Sequence, residues 1–295
     1  MRYRYLTCDV FTDRRFGGNQ LAVLLDAQGL DTAAMQAIAA EFNYSETSFV
    51  LPPADPVNLA RVRIFTPRFE MPFAGHPTVG TALTLAWQGR TPPGNEFVLE
   101  EKAGPVPVRL SPDAGGRLVA EFAAPEPPWH SPPLPAAAIA AGLGLSAADL
   151  VAGSGLPRAA SCGVPFLLVE LTGTDALARA WLRDDGMLQG TEAKGVYLFA
   201  QAADGATLSA RMFAPGAGIL EDPATGSAAA ALAGYLGGQP ERPEGWHGWE
   251  IRQGVEMGRP SVIAVRARRE GGKVSEVRVG GTAIAVMEGT IETAA

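Results

Sequence analysis

Apolar residues fall in short blocks along this chain, and their spacing separates strands from helices. Leu21 to Leu25 and Phe166 to Val169 are unbroken apolar runs of strand length, as expected for strands buried on both faces. Arg61 to Phe65 and Ser209 to Phe213 alternate polar and apolar residues in strand fashion. Thr32 to Phe42 carries helical spacing, with Asp31 or Thr32 placed to cap its start. Two further helices are predicted over Pro77 to Trp87 and Pro223 to Leu236, since proline is tolerated at a first helical position. Both are rich in alanine and lack a broad polar face, so each should be buried with sheet wrapped about it.

The blocks recur at half the chain length. Arg63, Phe65 and Pro67 precede His76, Pro77, Gly80 and Ala82; Arg211, Phe213 and Pro215 precede Asp222, Pro223, Gly226 and Ala228. The arginines lie 148 positions apart and His76 lies 146 before Asp222, in a chain of 295 residues. Gly18 to Leu24 resembles Gly163 to Val169, and Phe49 and Tyr197 each stand 16 positions before Phe65 and Phe213. A duplicated unit follows. Its copies are expected over residues 1–125 and 136–295, with the Pro-rich stretch 123–135 as a stiff linker. The last strands, near 277–291, could pair with either copy.

If the copies pack about a pseudo-two-fold axis, the two buried helices aim their amino-terminal ends into a shared cleft. Free amides and the helix dipole make such ends suited to anions. His76 and Asp222 would stand at the mouth, although Asp222 equally suits a helix N-cap. Glu46 precedes a strand in a loop, where catalytic groups gather, but an ordinary surface carboxylate fits there as well.

Composition narrows the partners. The chain is 47% hydrophobic and 19% charged with a net charge of −7, and no Lys/Arg cluster offers a nucleic-acid surface. The apolar run Ala228 to Leu232 is too short for a membrane span, and the amino terminus has no signal-peptide core. A cytoplasmic protein is expected, with Cys8 and Cys162 as reduced, buried thiols. Three histidines without ligand spacing argue against a metal. Neither G-x-S-x-G nor a P-loop occurs.

Three motifs resemble the phenazine-biosynthesis PhzF family: Ser45-Glu46-Thr47-Ser48-Phe49, Ala74-Gly75-His76-Pro77-Thr78-Val79-Gly80-Thr81-Ala82, and Glu221-Asp222-Pro223-Ala224-Thr225-Gly226-Ser227-Ala228. Segments around Asp9 to Asn19 and Gln253 to Ser261 match too, so the resemblance runs nearly end to end. It implies the α+β fold of diaminopimelate epimerase: two similar domains, each a strongly curved, mostly antiparallel sheet around a central helix. It implies Glu46 as the catalytic acid/base, with His76, Asp222 and Ser227 as active-site partners. Asn19, Gly75, Gly80, Thr225, Gly226 and Gln253 become candidate substrate-binding residues. It implies a homodimeric isomerase of a small carboxylate, with no cofactor and no metal, similar to trans-2,3-dihydro-3-hydroxyanthranilate isomerase. The two-thiol epimerases of this fold place cysteine just before each helix; here Ala74 and Pro223 are expected in those places. Gln20 replaces the family's usual proline and could put an amide in the cleft. A non-catalytic metabolite-binding protein is the alternative, and a Ser227–His76–Asp222 hydrolase a more distant one.

Overall fold

The computed structural model describes residues 1–182 and 185–293. It divides into two compact units, one of residues 1–125 and 280–295, the other of 126–279.

The first unit opens with β1 (Arg2–Val10), antiparallel to β2 (Asn19–Leu24). Helix α1 (Thr32–Phe42) then returns the chain to β3 (Glu46–Leu51), parallel to β2. Asp31 caps α1 by accepting the Ala34 amide at 2.8 Å, and Asn43 ends it in a left-handed conformation. β4 (Ala60–Phe65) runs antiparallel to β3, and the two-residue β5 (Glu70–Met71) antiparallel to β4. After α2 (Gly75–Trp87), β6 (Glu96–Glu101) joins parallel to β4, followed by antiparallel β7 (Gly104–Pro112) and β8 (Leu118–Ala123).

The second unit repeats this order. A short β9 (Trp129–His130) lies inside the Pro-rich stretch and pairs with β10 (Arg158–Ser161), so that stretch is not merely a linker. Helix α3 (Ala136–Gly142) lies between them in sequence. β10 is antiparallel to β11 (Phe166–Leu171), and α4 (Thr174–Arg179) leads to β12 (Val196–Gln201), parallel to β11. β13 (Thr207–Ala214) and β14 (Ile219–Asp222) follow antiparallel. After α5 (Gly226–Gly237), β15 (Gly245–Gln253) joins parallel to β13, with β16 (Ser261–Glu270) antiparallel to it and β17 (Lys273–Gly281) next in the chain. The final strand, β18 (Ala283–Glu292), pairs along β1 in the first unit.

Each unit sandwiches its parallel strands between helices, which is why those strands read as continuous apolar runs. In the first unit, Phe49 and Leu51 of β3 pack with Met35 and Ile38 of α1, so the alternate residues, Glu46 among them, face α2. In the second, α3 and α4 cover β11 and β12 through Ile139, Leu177, Leu167 and Leu198. Helix α2 is buried from Gly75 to Leu85, against β1, β2, β3, β8 and β18, and α5 is equally buried. Gly80 is a packing position: a Cβ there would lie 2.5 Å from Leu21 Cδ2 and 2.7 Å from Val10 Cγ2.

The repeat is real but its sequence register is not. Arg63 and Arg211 each make a bidentate pair with a carboxylate on the next strand, Glu70 and Glu221. The arginines are offset by 148 and these glutamates by 151, because the β13–β14 hairpin is three residues longer than β4–β5. The helices keep the offset of 151: α2 opens at Gly75 and α5 at Gly226. His76 therefore corresponds to Ser227, and Asp222 to Met71 in the strand before the helix. Neither proline opens its helix. Pro77 is the third helical residue, Pro223 lies before α5, and the residues just ahead of the helices are Ala74 and Thr225.

Candidate active site

Glu46, at the start of β3, is 9% exposed, and His76 in the first turn of α2 is 4% exposed. His76 Nδ1 lies 3.3 Å from Glu46 Oε2 and 3.3 Å from Asn19 Nδ2. Burial lowers the imidazole to about 3, against the smaller pull of the Gln20 backbone carbonyl as an acceptor for a ring N–H, which raises it. The pair is therefore a carboxyl group beside a neutral ring. Nδ1–H can donate to an ionised Glu46, or a protonated Glu46 can donate to Nδ1, so one proton serves both states. An imidazolium would instead clamp the carboxylate and weaken it as a base. The other ring nitrogen, Nε2, is buried with no partner among the described residues. The helix start adds the amides of Gly75 and His76, since the first bond back along α2 runs from Thr78 N to Ala74 O. Gln20 alternates with Asn19 and Leu21 along β2, so its side chain points away from α2 while its backbone serves the ring.

The second unit builds a different cluster at the start of α5. Asp222, 4% exposed, accepts the Thr225 hydroxyl at 2.6 Å. Asp222 is thus the partner of the N-cap residue and not the cap itself. Gln253 is wholly buried and fully engaged: Oε1 accepts the Tyr197 hydroxyl and the Thr225 amide, and Nε2 donates to Asp222 O and Thr225 Oγ1. No bond is left for a ligand, so Gln253 holds the turn instead of binding substrate. Burial and the nearby Asp222 charge push the Tyr197 phenol up, keeping it a neutral donor. Ser227, second residue of α5, is half-buried beside the open amides of Gly226 and Ser227. Gly80, as shown above, serves packing.

The position matching Glu46 in the second unit is Gly195, one residue before the Val196–Phe213 pair as Glu46 is before Thr47–Phe65. A Cβ there would meet Phe213 O at 2.8 Å, so no side chain fits. The two cysteines are buried, and burial pushes both thiols up to about 12. They belong to strand packing and offer no thiolate base.

Sequence reasoning missed Glu101, the last residue of β6. It is 6% exposed, and burial raises its carboxyl from 4.5 to about 8, against bonds from Thr78 and the Ala74 amide. A carboxyl raised in the folded state contributes stability that is complete below the unfolded value and is lost as pH rises through the folded one. Unfolding free energy should therefore fall between pH 4.5 and about 8, and Glu101→Gln should remove that part of the slope in urea titrations.

Residues 8–289 match the family of phenazine biosynthesis-like proteins. The chain belongs to that family. Within it, the chain is 39% identical to the trans-2,3-dihydro-3-hydroxyanthranilate isomerase of Pseudomonas aeruginosa, over 97% of this chain and 98% of that one. An uncharacterised isomerase of Mesorhizobium japonicum is 42% identical over 97% and 98%. The crystal structure of a Bacillus anthracis phenazine biosynthesis protein of the PhzF family superposes with a TM-score of 0.90 at 25% identity, covering 99% of this chain and all of that one. The crystal structure of a probable proline racemase from Agrobacterium radiobacter shares the fold alone, at a TM-score of 0.67 and 15% identity over 99% of this chain and 93% of that one. This PhzF-type chain is thus an isomerase/epimerase-type enzyme with the epimerase-like α+β fold. No helix among its described residues is long and apolar enough to cross a membrane.

Proposed function

We propose that the enzyme moves a proton within a small unsaturated carboxylate, with Glu46 as the only base. Glu46 takes a proton from one substrate carbon, the released electron pair shifts through the conjugated system, and the resulting Glu46 acid returns the proton to another carbon. Atoms and electrons balance without an external acceptor. The observation that carries this reading is the buried Glu46–His76 pair at 3.3 Å, present once, with Gly195 in the matching place of the other unit. A two-base epimerase needs an acceptor from each copy; one base suits a proton that leaves and returns on the same side. The open amides at the start of α2 suit the substrate's carboxylate. Asp222 and Ser227 are proposed to contribute to the same turnover. The relatives named trans-2,3-dihydro-3-hydroxyanthranilate isomerase make that compound the first to test.

The test is proton NMR in heavy water with trans-2,3-dihydro-3-hydroxyanthranilate and a panel of cyclic amino carboxylates. Conversion with deuterium uptake at carbon is expected for at least one. Ligands that raise the melting temperature while none exchanges would favour the non-catalytic metabolite-binding reading instead.

A further inference from the structure

Helix α2 begins at a poor cap. Ala74 holds the N-cap position and has no side-chain oxygen to offer. Its backbone is nevertheless held on both sides. Thr78 Oγ1 lies 2.7 Å from Ala74 O and 2.6 Å from Glu101 Oε1, and the Ala74 amide is near enough to the Glu101 carboxyl to oppose the effect of its burial. Thr78 has one hydroxyl proton for two acceptors, so both bonds form only if the carboxyl supplies the second proton. The chain is then Glu101 O–H to Thr78 Oγ1, and Thr78 O–H to Ala74 O. Glu101 Oε2 is buried without a partner among the described residues, which a charged carboxylate would not tolerate but the carbonyl oxygen of an acid can.

The second unit supports the assignment with a different residue. β6 registers Ala60 against Leu99, and β15 registers Leu208 against Ile251; Ala60 and Leu208 are themselves equivalent by the arginine offset of 148. Glu101 therefore corresponds to Gln253, each the last residue of its strand. Gln253 accepts the amide of Thr225, the residue before α5, and the Glu101 carboxyl stands by the amide of Ala74, the residue before α2. A glutamine and a protonated glutamic acid are near-isosteres, each with one donor and one acceptor arm. The partner of Gln253 Oε1 is the Tyr197 hydroxyl, and the residue equivalent to Tyr197 is Ser48, whose buried hydroxyl has no partner among the described residues.

We propose that Glu101 is a positioning residue for His76: it locks the turn Ala74-Gly75-His76 from β6, as Gln253 locks the turn before α5. It does not touch the substrate. It fixes the ring that carries the Glu46 contact and the two amides beside it. This rests on the proposed role of Glu46 and His76, but its first test needs no substrate.

The ring signals of the three histidines are recorded by nitrogen-edited NMR at pH 7 in the wild type, Glu101→Gln and Glu101→Leu. His130 and His247 lie elsewhere and report on the overall fold. Glu101→Gln should leave all three unchanged. Glu101→Leu should shift and broaden His76 alone. Where the activity assay succeeds, Glu101→Leu should lower kcat by roughly tenfold or more with little change in KM, and Glu101→Gln should restore kcat to within about threefold. Should Glu101→Leu fail to fold, Thr78→Val cuts the same chain at an isosteric side chain and is expected to move His76 in the same way. A His76 signal untouched by both disruptive variants, or a Gln variant as damaged as the Leu one, overturns the proposal. Failure of every substrate with the His76 shift present would instead count against the proposed reaction alone.

Discussion

Glu46→Gln is expected to lower turnover by about 10³-fold while leaving KM within a small factor, since a general base acting in the rate-determining proton transfer contributes on this order. Glutamine keeps the size of the side chain, and its amide can meet either state of His76 Nδ1, at 3.3 Å in the wild type. It cannot take a proton from carbon. Deuterium uptake into substrate should fall by the same factor as turnover, because in the proposed reaction one group both removes and returns the proton. His76→Gln should cost less, on the order of 10- to 100-fold, because in the proposed reaction the ring orients the base and does not replace it. Burial holds the ring near 3, so no ionisation of His76 should appear in the pH–rate profile between pH 5 and 9. Exchange that continues at the wild-type rate in Glu46→Gln would move the base elsewhere, with Asp222 the next group to test.

Much of the fold was legible because burial on two faces leaves a mark in the sequence. Leu21 to Leu25 and Phe166 to Val169 are apolar throughout since α1 and α2, or α4 and α5, cover both sides of the strands they form. The buried helices were legible for the same reason. Their starting points were not. The shared H/D-P-x-x-G-x-A pattern aligns His76 with Asp222 at an offset of 146, but three extra residues in the β13–β14 hairpin carry the start of α5 to an offset of 151 from that of α2. A match of short motifs cannot reveal an insertion between them. The glutamates paired with Arg63 and Arg211 would have shown it, since they already carry the larger offset.

Glu101 was hidden by its neighbours. Glu100, Glu101 and Lys102 together look like a solvated charge run. The available signal was the two-residue period: Phe97, Leu99 and Glu101 share the buried face of β6, as Trp249, Ile251 and Gln253 share that of β15. Gln253, by contrast, reads from the sequence as a ligand-binding residue. Only its four occupied hydrogen bonds show that its work is internal.

The largest loss of stability is expected from Arg211→Met, about 3–5 kcal/mol, the cost of stripping one partner from a buried ion pair. The Arg211 side chain is 6% exposed and that of Glu221 is 12% exposed, and the two meet through bonds of 2.8 and 3.0 Å. The same guanidinium stacks 4.8 Å from the Phe213 ring centroid and donates to the carbonyls of Leu177, Ala178 and Ala180 at the end of α4. Removing it strands a carboxylate and leaves the carbonyl end of a helix without its donor. Its counterpart Arg63 makes an equivalent bidentate pair with Glu70 and stacks 5.0 Å from Phe65, but its side chain is 23% exposed and Lys102 also reaches Glu70. Arg63→Met should therefore cost only about 1 kcal/mol, near the range of exposed pairs. Urea unfolding of the two variants isolates the effect of surroundings on one duplicated contact. The double variant Arg211→Met with Glu221→Leu should recover part of the loss, since no charge is then left buried alone. Equal losses at the two arginines would show that the helix-end carbonyls and the deeper burial of Arg211 add nothing. Because Glu221 is joined directly to Asp222, the single variant should also loosen the Asp222–Thr225 contact, and faster exchange of the Thr225 amide would report it.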